Sequence, residues 1–137
     1  MLTLNGDIKE SLETLKKSHP KYKVVFMGSR LSDPGIDKLN ETALTDPDWP
    51  SYLRLFPLLH WSYTDVWKFL RDLWLPYCTL YDQGYTSLGN MRDTLKNASL
   101  KIINPDGEQD FLAAYLLGDP KAERFGRRFS DRRPEFL

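Results

Sequence analysis

The 137 residues, 41% hydrophobic and 13% aromatic, suffice for one globular domain with a modest core. Nineteen basic and nineteen acidic residues cancel, so the chain carries no overall charge footprint for nucleic acid or an anionic membrane. No apolar run approaches the roughly 18 residues of a membrane span, and a single cysteine, Cys78, excludes an intrachain disulfide and a cysteine-based zinc site.

Met1 to Gly6 lacks the basic-then-apolar pattern of a secretory signal. With one cysteine, this leads us to expect a reducing, cytoplasmic setting. Asp7 to Ser18 predicts an amphipathic helix with Ile8, Leu12 and Leu15 on one face. Asp7 is its N-cap, Glu10 completes a capping box, and Pro20 stops it. Tyr22 to Met27 predicts a strand, and its run Val24-Val25-Phe26-Met27 reads as buried on both faces. Helix, loop and buried strand form half of an α/β crossover unit, whose functional loops lie at carboxyl ends of strands. Residues 30 to 50 read as a long loop, and Tyr52 to Leu59 as a short strand interrupted by Pro57.

Ser62 to Leu73 predicts the clearest helix. Ser62 caps it, with Asp65 short for a capping box, and Val66, Phe69, Leu70 and Leu73 form its apolar face. The stripe Trp67, Leu70, Trp74 reads as core, and Cys78 as a buried structural thiol. Lys101-Ile102-Ile103 fits a strand, Asn104 to Gly107 a turn, and Phe111 to Leu117 a strand or a helix. From Lys121 to Leu137 the chain is rich in arginine.

Five constellations carry chemistry. Gly28-Ser29-Arg30 and Ser32-Asp33-Pro34 follow the first strand. Gly28 permits close backbone approach, Arg30 can fork onto phosphate oxygens, and Asp33 can hold Mg²⁺ or orient a phosphate. The alternative is a plain turn opened by Asp33-Pro34. Asp46, Trp49 and Arg54 offer an acceptor, a stacking face and a cation to a flat heteroaromatic phosphate, or else a surface turn anchored by Trp49. His60 is a possible base, but His19 is the only other histidine and no metal spacing exists, which favours a hydrogen-bonded structural role. Gly84-Tyr85-Thr86-Ser87-Leu88-Gly89 presents N–H groups and hydroxyls to a phosphate or an adenine edge, or is a two-glycine turn. It lacks the Gly-Lys-Ser/Thr ending of a P-loop. Arg124, Arg127 and Arg128 suit a polyphosphate leaving group, or a solvated basic tail.

Read together, Gly28 to Pro34, Thr45 to Pro50, Arg54 to Trp61, Leu75 to Cys78 and Tyr81 to Gly89 resemble the FAD synthetases of the phosphoadenylylsulfate-reductase-like type. The resemblance runs from about Asp7 to Arg127. It implies an α/β fold of the adenine nucleotide alpha hydrolase-like class. The sheet would be open and largely parallel, in one partial domain over residues 1–137 with an irregular, arginine-rich extension over 118–137. It implies that FMN attacks the α-phosphorus of Mg-ATP to give FAD and pyrophosphate, with FMN, ATP and FAD as the small-molecule partners. By position it makes Asp33 an active-site carboxylate near the metal or the phosphates. Asp46, Trp49 and Arg54 become FMN contacts, and Arg124 and Arg127 the tail arginines that embrace the phosphates. Gly28, Arg30, Gly84, Thr86 and Ser87 become nucleotide contacts. The family's Ser/Asn-Gly-Gly-Lys-Asp loop is absent, so the chain is expected to be the C-terminal part of a longer enzyme, and Leu31 stands where the family often has a polar residue. Two other readings are a flavin- or partner-binding half-domain without turnover and a sulfonucleotide reductase relative. The latter lacks its thiol chemistry here, because Cys78 is the only cysteine.

Overall fold

In the computed structural model, which describes residues 2–36 and 38–128, the first helix begins where Asp7 turns its carboxylate onto the Glu10 N–H at 2.8 Å. This helix, α1 (Ile8–Ser18), ends as His19 N–H bonds Leu15 C=O and Pro20 follows. Leu12 and Leu15 are half-buried, whereas Ile8 is exposed. The described chain falls into two compact units, divided between Trp61 and Ser62.

Three short strands form the sheet of the first unit: β1 (Val24–Phe26), β2 (Thr42–Leu44) and β3 (Leu53–Leu55). The order is β1-β3-β2, with β3 parallel to β1 and antiparallel to β2. The α/β class therefore holds, with a small mixed sheet in place of a largely parallel one. β2 corrects the expected long loop over 30–50. A three-residue strand is too short to display a period. It forms because β3 offers its second edge, and the ladder continues through Thr45 N–H to Tyr52 C=O and Phe56 N–H to Glu41 C=O.

In-register residues share a face. Val25, Arg54 and Ala43 align on one face. Tyr52 and Phe56 continue it along the β3 segment and are almost fully buried, with Leu59 nearby in sequence. α1 lies against this end of the chain: Tyr52 donates its hydroxyl to Leu12 C=O at 3.4 Å, and Lys16 reaches Ser51 C=O. The other face carries Val24, Leu53 and Leu44 in register, with Phe26 beside them, and all four are exposed. β1 is thus an edge strand with one open face, not a strand buried on both. Its continuous apolar run does not distinguish these two situations.

The second unit opens with α2 (Tyr63–Asp72). Its cap is a complete box: Asp65 N–H donates to Ser62 Oγ at 3.1 Å, and Ser62 N–H donates to Asp65 Oδ2 at 2.8 Å. Aspartate reaches because the Ser62 hydroxyl also donates to the same oxygen, at 2.7 Å. That hydroxyl, followed by the Ser62 N–H, holds the Asp65 carboxyl below its ordinary range. The buried face is Tyr63, Trp67 and Leu70, while Phe69 and Leu73 are exposed. Trp67 meets Tyr63, Tyr77, Tyr81 and Tyr115 edge-on, with ring centroids 5.1 to 6.2 Å apart. Tyr63 donates to Ala114 C=O at 2.8 Å, and the Arg71 guanidinium lies 3.7 Å from the Tyr115 ring centre.

Trp74, expected in the core, is 92% exposed. Its N–H bonds Arg71 C=O and the Leu75 N–H bonds Leu70 C=O, the paired bonds of a Schellman helix stop. Trp74 occupies the left-handed position at φ 54°, where glycine is usual. A tryptophan there pays a Cβ penalty with almost no burial in return. Trp74→Gly is expected to raise stability by about 1 kcal/mol, read as a higher urea midpoint at unchanged slope. A lower midpoint would show that the ring holds contacts which outweigh the strain. Cys78 is likewise exposed, not buried.

β4 (Lys101–Ile103) and β5 (Gln109–Phe111) form an antiparallel hairpin. The Asn104 side chain accepts from the Asp106 and Glu108 N–H groups and closes its turn. Phe111 to Leu117 is neither one strand nor one helix: β5 ends at Phe111, and a 3₁₀ turn spans Ala114–Leu116. Another 3₁₀ turn, Pro120–Arg124, opens the arginine-rich segment. The remainder of that segment, 129–137, lies outside the described residues.

Candidate active site

In the first unit the turn after β1 is closed by its own charged pair. The Asp33 carboxylate accepts from the Arg30 N–H at 2.9 Å and from Arg30 Nη2 at 3.2 Å. The Arg30 C=O accepts the Asp33 N–H, and Leu31 N–H bonds Leu59 C=O. Gly28 has open space around the position of a Cβ, so no packing requirement fixes glycine there.

At the β2–β3 end, Arg54 Nη2 donates to Leu44 C=O at 2.7 Å and lies 3.4 Å from Asp46 Oδ1. Arg54 Nε is buried and has no hydrogen-bond partner among the described residues. The Trp49 N–H bonds Asp46 C=O, which folds 46–49 into a tight turn. Thr45 pins it, donating its hydroxyl to Pro50 C=O and accepting the Tyr52 N–H. Asp46 and Arg54 are thus in contact, and Trp49 shares the turn with Asp46. Trp49 is half-buried and lines a groove of about 340 Å³ with Pro47, Asp48, Pro50, Glu13, Lys16 and Lys17. Lys9 Nζ stands 6.0 Å from the Trp49 ring centre and 3.3 Å from Asp48. These lysines were not among the site residues expected from the sequence. Their only signal was the i, i+7 spacing of Lys9 and Lys16 on α1.

His60 Nε2 lies 3.0 Å from Glu41 Oε1. The Glu41 carboxyl is held below its ordinary range, chiefly by this hydrogen bond. His60 is therefore hydrogen-bonded in an exposed pair. Among the described residues no group of three or more His, Cys, Asp or Glu could hold a metal. Asp33 alone, already facing Arg30, forms no cage. It fits only an ion arriving on nucleotide phosphates, since Mg²⁺ commonly takes one or two carboxylates and keeps its waters.

In the second unit the Gly84–Gly89 loop is held against the arginine segment. Gly84 adopts φ 92°, and a side chain there would meet Phe111. Thr86 and Ser87 are buried. Thr86 donates its hydroxyl to Glu123 C=O at 2.6 Å and accepts from Asn97 Nδ2 at 2.8 Å. That hydroxyl, expected on a nucleotide, is engaged inside the protein. Asn97, fully buried, also donates from Nδ2 to Ala122 C=O at 2.7 Å, accepts the Ser99 N–H, and bonds Gly84 C=O through its own N–H. An isolated asparagine between Lys96 and Ala98 gave no sequence signal. Arg124 and Arg127 are half-buried. Arg127 pairs with Thr94 in a short bridge, Leu95 N–H bonds Gly126 C=O, and the Arg127 guanidinium lies directly over Gly89. The segment up to Arg128 is thus a docked strip, not a solvated tail.

The chain is 47% identical over 129 residues to a probable FAD synthase of Caenorhabditis elegans, covering 93% of this chain and 25% of that protein. It is 41% identical over 128 residues to a probable FAD synthase of Schizosaccharomyces pombe, covering 93% and 46%. Its backbone matches Candida glabrata FMN adenylyltransferase in complex with FAD and inorganic pyrophosphate at a TM-score of 0.79 and 28% identity, covering 93% of this chain and 55% of that one. The chain spans between a quarter and a half of the length of these curated relatives. No helix among the described residues is long and apolar enough to cross a membrane. Residues 8–96, from the first residue of α1 to the one before Asn97, match a single family description, and on that match the chain belongs to the phosphoadenosine phosphosulfate reductase domain family.

Proposed function

We propose that this chain carries the flavin- and phosphate-contacting part of an FMN adenylyltransferase. An FMN phosphate oxygen forms a bond to the α-phosphorus of ATP, the bond from that phosphorus to the β-phosphate bridge breaks, and pyrophosphate leaves. The observation that carries the reading is the contact of Asp46 with Arg54 beside a tight turn that also holds Trp49, in a chain whose relatives are named for FAD synthesis. Asp46 accepts from the flavin imide, Trp49 offers the stacking face, and Arg54, with its buried Nε unpartnered among the described residues, supplies positive charge. Arg124 and Arg127 neutralise the charge that develops on the departing pyrophosphate. Asp33 is the carboxylate that would hold a Mg²⁺ carried on ATP, or face its phosphates, and the ion would there supply neutralisation of phosphate charge. Gly28, the Arg30 guanidinium, Gly84, Thr86 and Ser87 stand as the proposed nucleotide contacts. The family match over 8–96 crosses the boundary between the two units, which supports one domain over the chain. The lone cysteine is consistent with a cytoplasmic setting.

The test is a titration of FMN fluorescence, with riboflavin as comparison. Saturable FMN binding is expected, weaker for riboflavin. Asp46→Ala should weaken both about 10- to 100-fold, the value of a hydrogen bond to a charged group. Equal affinity for FMN and riboflavin would remove the phosphate contact, and an unchanged Asp46→Ala would remove the imide contact. A second reading, a flavin-binding part without turnover, draws on the internal engagement of Asp33 and Thr86. It predicts FMN binding with no FAD formed when ATP and Mg²⁺ are supplied.

A further inference from the structure

The Arg127 guanidinium rests on the backbone of Gly89: a methyl group placed on Gly89 would occupy the space of Cζ and both terminal nitrogens. No backbone reason demands glycine there, because Gly89 is not among the positive-φ glycines. What the missing side chain provides is room for Arg127. The frame around this contact cannot yield easily. Asn97 ties Thr86 to Ala122, Thr86 ties the loop to Glu123, and a side chain on Gly126 would strike Leu95 C=O. Loop and strip are locked by buried bonds on either side, so the guanidinium is the one partner that can move.

We propose that Gly89 is a positioning residue, which sets where the Arg127 guanidinium lies and so where it can meet a phosphate. The Gly84–Gly89 loop then acts as the bed of an arginine, in addition to any contact its amides make. The proposal rests on the reading of Arg127 as a phosphate contact, and its test separates the two.

The variants are Gly89→Ala, Arg127→Ala and the double variant, in the full chain. The first readout needs no activity: the Arg127 side-chain Nε–H resonance in an NMR spectrum. In the parent it is expected to be shifted and slow to exchange; in Gly89→Ala it should move to the position of a solvent-exposed arginine. Thermal unfolding should be unchanged, because only the end of a flexible side chain is displaced. The second readout is FAD formation from FMN and ATP. A displacement of about 1 Å at a phosphate contact costs on the order of 10²-fold in turnover, so Gly89→Ala should approach Arg127→Ala. In the Arg127→Ala background, Gly89→Ala should add nothing. An unmoved Nε–H resonance would overturn the proposal, as would an equal loss from Gly89→Ala with and without Arg127. A moved resonance with Arg127→Ala fully active would uphold the positioning and sink the phosphate role instead.

Discussion

Trp67→Ala is expected to remove about 3–5 kcal/mol of stability, the cost of deleting a large aromatic side chain from a core. The ring is 6% exposed and has four tyrosines edge-on around it. Those tyrosines come from α2, from the stretch after it, and from the 3₁₀ turn at Ala114–Leu116, so one ring joins elements far apart in sequence. Edge-to-face pairs add to simple burial, since the positive ring edge meets a negative face. Against a total of roughly 5–15 kcal/mol for a domain, such a loss leaves the second unit marginal at best. Urea unfolding followed by far-ultraviolet circular dichroism measures it. Trp67→Phe should retain most of the stability, because it keeps an aromatic ring in the site. A loss for Trp67→Ala below about 0.5 kcal/mol, the ordinary surface range, would mean that the tyrosine ring does not depend on its centre.

Arg127→Ala carries the other large effect. Turnover should fall about 10²- to 10³-fold, the range seen when one preorganised donor to a developing charge is removed. FMN affinity should change little, because the proposed flavin contacts are Asp46, Trp49 and Arg54. The split distinguishes roles. A residue that acts only as charge develops lowers kcat and kcat/KM together, while a residue that binds substrate uniformly raises KM alone. Equal losses in turnover and flavin affinity would place Arg127 on the ground-state ligand. Arg127→Lys should not restore the rate, because a point charge lacks the forked donors of guanidinium.

How much of this was open to reading in the sequence depended on distance along the chain. The N-caps Asp7 and Ser62 were legible, because a carboxylate or hydroxyl and the N–H it meets lie three residues apart, whereas the reciprocal box at Asp65 was not, because its side chain is short. Asp46, Trp49 and Arg54 lie close along the chain, so a single turn and the strand β3 that follows it bring Asp46 against Arg54 and place Trp49 in the same turn. Trp67 and Trp74 could not be told apart, since both fall at helical spacing. They part company only because the helix ends in a left-handed residue, and a tryptophan there carries no glycine signal. The Thr86 hydroxyl's partner in the structure, Glu123 C=O, lies 37 residues away, so no local pattern marked that bond. Asn97 was invisible on the same ground. Its side chain serves groups at Thr86 and Ala122, and no local pattern announces such a bridge. Whether Val24 to Met27 is covered on one face or two also depends on what packs there, which the run itself does not specify.

That open sheet face matters at the bench. Val24, Phe26, Leu44 and Leu53 present an apolar surface between two strand edges that pair with no further strand among the described residues, on a chain with zero net charge and an isoelectric point near 6.7. Near neutral pH, copies of this polypeptide meet with almost no long-range repulsion, and both side chains and strand edges favour adhesion. Its colloidal behaviour in a concentrated sample is therefore set by those few side chains on the sheet. Raising the pH, which gives every copy the same sign, should keep it in solution better than adding salt.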